Sequence, residues 1–167
     1  MELQYEYRTG FGTDIHRLAP EIVLKLGGIE VPYDRGLLGH SDGDAALHAL
    51  MDALLGAAGL GDIGMMYPDT APQWAGADSR ALLLGVKERL QKDRWEVVNV
   101  DLTIHAEEPK LTPFKGQMKR CIAGLLEIDF ASVNVKAKTN EGLGEIGRSE
   151  AIAADAIVLL RRRLKGF

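Results

Sequence analysis

A chain of 167 residues with 46% hydrophobic and 26% charged residues has the make-up of one ordinary domain, long enough for a real core. Its net charge of −4 gives no general pull toward nucleic acid or an anionic membrane, so an anionic ligand must be held by local cations, backbone amides or metal. No run approaches the ~18 apolar residues of a membrane span, the acidic start Met1–Arg8 lacks a signal-like apolar stretch, and a lone Cys121 excludes an internal disulfide, so a cytoplasmic protein is expected.

Tyr5 to His16 reads as a strand whose glycines at 10 and 12 let backbone or ligand come close. Glu21 to Tyr33 reads as a hairpin around a Gly27-Gly28 turn, followed by a polar, glycine-bearing loop from Asp34 to Gly43. Ala45 to Ala58 is a strong helix ended by Gly59, and Ser41 with Asp44 three residues later reads as a capping box at its start. Gly61 to Asp78 is a long irregular passage, of a kind that is usually functional or mobile in a compact domain.

Asp78 or Ser79 caps a second helix with Leu82, Leu83, Val86 and Leu90 as its apolar stripe. Trp95 to Ala106 is a strand, Thr112-Pro113 opens a third helix, and Val133 to Thr139 is another strand. Ile152 to Leu164 stays open between a helix, favoured by its alanines, and a buried strand. No repeat or linker divides 1–167, and strands mixed with three helices make an α/β or α+β domain.

Asp14 and His16 stand two apart, so on a strand they share a face. His48 from the following helix completes a three-ligand set with a free fourth position, the pattern of a catalytic zinc. Asp44, His48 and Asp52 fall on one helical face, a polar line that a helix of Ala, Leu and Met does not need for packing. The helix start at Ser41–Asp44 also suits phosphate oxygens. Lys110, between a strand and a helix, and the run Lys136-Ala137-Lys138-Thr139-Asn140-Glu141 at a strand exit are weaker signals, each explained alone by ordinary solvation. The glycine-dotted loop Gly142–Arg148 is neither a P-loop nor a dinucleotide fingerprint. His105 reads as satisfied or exposed, Cys121 as core, and Arg161–Lys165 as a solvated end.

Taken in order, Gly-Thr-Asp14-Ile-His16, Gly39-His40-Ser41-Asp42-Gly43-Asp44 through Asp52, Gly61-Asp62-Ile63-Gly64 with Tyr67-Pro68-Asp69, Gly76-Ala77-Asp78-Ser79 and Lys136–Arg148 resemble the 2-C-methyl-D-erythritol 2,4-cyclodiphosphate synthase family over nearly the whole chain. The resemblance implies an α+β domain with a mostly four-stranded mixed sheet covered on one side by helices. It also makes the last segment a strand. It implies a homotrimer of packed sheets with active sites between subunits and a cavity on the three-fold axis.

The same resemblance implies Zn²⁺ on Asp14, His16 and His48, and a second ion, Mg²⁺ or Mn²⁺, at Glu141. Asp62 and Gly64 would hold the methylerythritol part, with His40 and Ser41 by its phosphate and Asp69 nearby. Ala106, Lys110, Leu111, Ala137, Lys138 and Thr139 would form the cytidine and diphosphate pocket, and Arg148 would face the axial cavity. His40, Lys138 and Thr139 are the residues expected to act in catalysis. The implied reaction turns a cytidine diphosphate substrate into a cyclic diphosphate plus CMP, with the substrate's own 2-phosphate as nucleophile. This agrees with the lack of a convincing Ser-His or Cys-His pairing. Two departures stand out: Met65-Met66 where relatives are often more polar, and Lys138 where some carry Thr. A zinc phosphoester hydrolase with a metal-bound hydroxide and a trimeric isoprenoid- or nucleotide-binding protein are the alternatives; release of CMP separates both from the synthase.

Overall fold

The computed structural model describes residues 4–164; the first three residues of the acidic start and Lys165 of the basic terminal run lie outside the described residues. The first strand, β1 (Tyr5–Pro20), sends alternate side chains to opposite faces. On one face Gly12 and Leu18 are buried, while on the other Phe11 and Ile15 are 62% and 50% exposed. The glycines serve a helix. A Cβ on Gly10 or Gly12 would collide with the carbonyl oxygens of Ala53 and Ala49, so α1 (Ala45–Ala58) lies directly on strand backbone. Alanines at 45, 46, 49, 53 and 57 of α1 are buried, and this small-residue seam sets the helix-to-sheet distance.

A two-residue ribbon, β2 (Lys25–Leu26) and β3 (Ile29–Glu30), turns at Gly27 and Gly28, both at positive φ. The next segment is not a plain loop. Arg35–Leu38 forms β4, an edge strand that pairs antiparallel with the extension of β1 past His16, from Arg17 to Pro20. The main sheet therefore has five strands in the order β4-β1-β7-β5-β6, rather than the expected four. β5 (Glu96–His105) and β6 (Val133–Lys138) are parallel, and the other pairings are antiparallel, which makes the sheet mixed.

The long passage after α1 is ordered into a short helix, α2 (Ile63–Met66), and a 3₁₀ turn at Pro72–Trp74. α3 (Ser79–Lys92) is capped by Asp78 and buries Leu82, Leu83, Val86 and Leu90, as its stripe predicts. A 3₁₀ turn at Thr112–Phe114 leads into α4 (Lys115–Leu126), and a last short helix, α5 (Gly144–Gly147), precedes β7 (Ala151–Arg163). β7 settles the open segment as a strand. Ile152, Ala154, Ala156, Val158 and Leu160 alternate into the core, the alanines lying in register with Gly12 and Asp14 on the face that receives α1. The helices thus cover one face of the sheet, giving an α+β domain among the described residues. Among them no helix is long and apolar enough to cross a membrane.

Candidate metal centre and cleft

Asp14 and His16 leave β1 on the helix-covered face, and His48 comes down from the first turns of α1 onto them. His16 Nε2 lies 2.8 Å from Asp14 Oδ2, His48 Nδ1 lies 3.2 Å from the same oxygen, and the two ring nitrogens are 3.2 Å apart. A tetrahedral zinc with bonds of about 2.0–2.1 Å sets its ligand atoms roughly 3.3 Å apart, close to this triangle. The second contact of His16 settles which of its nitrogens is free. His16 Nδ1 is 2.9 Å from the Leu38 carbonyl oxygen, which can only accept, so Nδ1 carries the hydrogen and Nε2 keeps its lone pair in the neutral ring. His48 Nε2 faces the hydroxyls of Ser41 at 2.9 Å and Ser79 at 3.0 Å, leaving Nδ1 toward the cluster. Asp14 Oδ2 is buried, and neither neighbouring imidazole offers it a well-directed hydrogen.

Three ligand atoms converging within 4.8 Å of one another fit a divalent cation. Burial works against the Asp14 charge, but His16 and then His48 outweigh it and hold the carboxyl below its usual range. Partnership with Asp14 raises His16 against the effect of its own burial.

The expected polar line on α1 divides. Only His48 faces the cluster. Asp44 is buried and is itself the N-cap of α1: its carboxylate accepts from the amides of Leu47, Gly27 and Gly28 at 3.0, 2.9 and 2.7 Å, tying the β2–β3 turn to the helix start. The expected capping box led by Ser41 is therefore not what starts the helix; the cap lies three residues later, at Asp44. Asp52, with its carboxyl raised by burial, accepts from the Ile63 amide at 2.7 Å and moors α2 to α1.

The cluster opens into a cleft of about 410 Å³ lined by His40, Ser41, Gly64, Asp69 and an apolar wall that includes Tyr67, Trp74 and Leu82. The wall is fastened, not loose. Tyr67 donates to the Leu82 carbonyl at 2.8 Å and stands edge-on to Trp74 with ring centroids 4.9 Å apart. The Gly76 amide donates to the His40 carbonyl at 2.7 Å, and that of Asp42 to Ala77 at 3.1 Å. Asp62 caps α2 through the Met65 amide at 2.9 Å, at the edge of the same region. Tyr67 and Trp74 are wall residues that residue chemistry did not single out, aromatics within a long irregular passage being the available signal, and Leu82 was read only as part of the core stripe of its helix.

The remaining candidates gather elsewhere. Ala106 donates its amide to the Lys138 carbonyl at 2.9 Å, joining the ends of β5 and β6. Glu107 clamps the following loop by accepting from the amides of Asn140 and Gly142 at 3.0 and 3.2 Å. Ala106 and Leu111 are buried and Ala137 half-buried, while Lys110, Lys138, Thr139 and Glu141 are exposed, and none of them lines the metal cleft. The sheet register accounts for the separation: His16 pairs with Ile152, Ala153 with His105, and His105 with Lys138. The two groups are thus two to three strand spacings apart, roughly 10–14 Å. Arg148 is exposed and paired with Glu150 at 3.0 Å.

A half-buried Asp-His-His cluster at one end of a cleft with polar groups on one side and an apolar wall on the other is a frame for holding a divalent ion beside a small ligand. The YgbB family model matches residues 7–161. The 2-C-methyl-D-erythritol 2,4-cyclodiphosphate synthase of Neisseria gonorrhoeae is 56% identical over 155 residues, covering 93% of this chain and 97% of that protein. Among solved structures, the bifunctional IspDF of Campylobacter jejuni has a TM-score of 0.92 at 42% identity over 95% of this chain, which spans 43% of that longer one. The IspF–CDP complex of Plasmodium falciparum has a TM-score of 0.83 at 34% identity, covering 95% of this chain and 97% of that one. The chain belongs to the YgbB family, that of the 2-C-methyl-D-erythritol 2,4-cyclodiphosphate synthases.

Proposed function

We propose that the protein, read as one synthase domain over 1–167, converts 4-diphosphocytidyl-2-C-methyl-D-erythritol 2-phosphate to the cyclic diphosphate and CMP, as a cytoplasmic phosphorus–oxygen lyase of isoprenoid synthesis. The observation that carries this reading is the convergence of Asp14, His16 and His48 on one end of a cleft that also holds His40, Ser41, Gly64 and Asp69, in a chain of this family. Asp14, His16 and His48 would hold Zn²⁺ and Glu141 a Mg²⁺ or Mn²⁺. When bound, these ions act as Lewis acids on phosphate oxygens and as templates for in-line geometry.

The chain's own residues do the positioning. Asp62, Gly64 and Asp69 orient the erythritol part, and His40 and Ser41 direct its 2-phosphate. An oxygen of that phosphate attacks the β-phosphorus, the bond from that phosphorus to the bridging oxygen of CMP breaks, and no water enters. Lys138 places positive charge, and Thr139 a hydroxyl donor, where the departing phosphate gains negative charge. Ala106, Lys110, Leu111 and Ala137 frame the cytidine and diphosphate.

The separation of the two residue groups supports a homotrimer in which one protomer's β5 and β6 ends meet a neighbour's metal cleft. The uncovered sheet face supports it as well, since Tyr7, Phe11, Ile15 and Ile157 present apolar surface there. In this assembly Arg148 would face the axial cavity. Incubation with the substrate, Zn²⁺ and Mg²⁺ should release CMP together with the cyclic diphosphate. Free phosphate from simple esters, or no product from folded, metal-loaded trimer, overturns the assignment.

A further inference from the structure

We infer that Asp42 and Ser79 form a positioning relay that selects the metal-binding tautomer of His48; this rests on the reading of Asp14, His16 and His48 as a metal centre. Ser79 is fully buried at the start of α3, with its Oγ 3.0 Å from His48 Nε2 and 2.5 Å from Asp42 Oδ1. Asp42 is fixed in turn, its Oδ2 accepting from the Ser79 amide at 2.9 Å and its Oδ1 from the Asp44 amide at 3.1 Å.

Proton counting orients the chain of contacts. An ionised carboxylate only accepts, so the single Ser79 hydroxyl hydrogen goes to Asp42. Ser79 Oγ is left able only to accept from His48, which places the ring hydrogen on Nε2 and the lone pair on Nδ1, facing Asp14. Were Ser79 free to turn its hydrogen onto Nε2, it would favour the opposite tautomer, with an N–H aimed at the cation. Ser41 benefits as well. With the tautomer fixed by Ser79, the Ser41 hydroxyl, also 2.9 Å from Nε2, keeps its own hydrogen for an acceptor in the cleft. The relay spans three elements, since Asp42 precedes α1, Ser79 begins α3 and His48 lies within α1.

The test is zinc affinity of the metal-stripped protein, measured by competition with a chromophoric chelator. Asp42→Ala removes the acceptor of the Ser79 hydrogen, leaves it free to turn onto Nε2, and should weaken zinc binding about 10- to 100-fold, the usual range for lost partners of ligand histidines. Ser79→Ala should weaken it less, because Ser41 still accepts from Nε2. The double variant should bind no worse than Ser79→Ala, since no misdirected hydroxyl remains. Imidazole ¹⁵N NMR of the unaltered, metal-free protein provides a reading independent of variant folding, and should show the hydrogen of neutral His48 on Nε2. Single variants within twofold of the parent, additive losses in the double variant, or a hydrogen on Nδ1 would each overturn the relay. A folded parent that binds no zinc removes the metal reading and the relay together. Absent synthase turnover with these affinity changes intact defeats only the proposed reaction.

Discussion

In the candidate metal cleft, His16 is braced by the Leu38 carbonyl, His48 by two serine hydroxyls, and the wall by Tyr67, whose hydroxyl donates to the Leu82 carbonyl of α3. At the ends of β5 and β6, by contrast, the bracing through Glu107 and the Ala106 amide falls mainly on the backbone, while Lys110, Lys138, Thr139 and Glu141 are exposed. One group is preorganised within a chain; the other offers charge and donors that gain fixed geometry only when something meets them. A cation needs its ligands at set distances, whereas a flexible diphosphate tolerates adaptable partners, so the contrast matches the two tasks proposed.

Variants can break or sharpen this contrast. The largest effect is expected for His48→Ala: stoichiometric zinc is lost and turnover falls by about 10³-fold or more, with far-UV circular dichroism unchanged. Zinc retained at one per chain would refute the ligand role. Gly12→Ala drives a methyl group into the Ala49 carbonyl and should lower unfolding stability by about 3 kcal/mol, read by urea denaturation. Asp44→Ala strands three backbone amides and should remove about 2–3 kcal/mol, although this carboxylate never touches the cleft. Lys138→Ala, in the exposed group, should weaken cytidine nucleotide binding about tenfold, or 1.4 kcal/mol, and leave zinc stoichiometry unchanged in calorimetry and metal analysis.

The smallest effect concerns Asp78. Arg80 beside it, then the Arg80 amide, hold its carboxyl below the ordinary aspartate value. A lowered folded pKa contributes stability that is present above the unfolded pKa and lost as pH falls through the folded one. Asp78→Asn keeps a capping oxygen but not the charge. The parent should therefore exceed it by about 0.3–0.5 kcal/mol at neutral pH, the difference fading below about pH 4.

The ligand trio was legible because strand and helix periodicities put Asp14, His16 and His48 on facing surfaces. Asp44 and Asp52 misled because spacing shows which face a residue occupies but not whether a backbone amide already claims it. β4 was missed since Arg35-Gly36-Leu37-Leu38 has too little alternation to announce an edge strand, and only pairing with an over-long β1 defines it. β7 was ambiguous because its alanines answer to the nearness of α1, a tertiary demand that local propensity reads as helix. The strand-end group is local in sequence, yet its neighbours across the sheet come from distant segments. Its remoteness from the metal cleft depends on strand order, which no single stretch encodes.

The seam of Gly10 and Gly12 against Ala49 and Ala53 has a thermal consequence. Where a helix rests on a strand through long side chains, rotamer changes let the two drift apart by small steps as temperature rises. Here backbone touches backbone, so there is no compressible layer between His48 and the pair below it. The ligand triangle holds its dimensions until the helix leaves the sheet altogether. Loss of zinc added to the purified protein should, on heating, coincide with global unfolding, and amide exchange along Ala49–Ala53 should proceed only through that same complete opening.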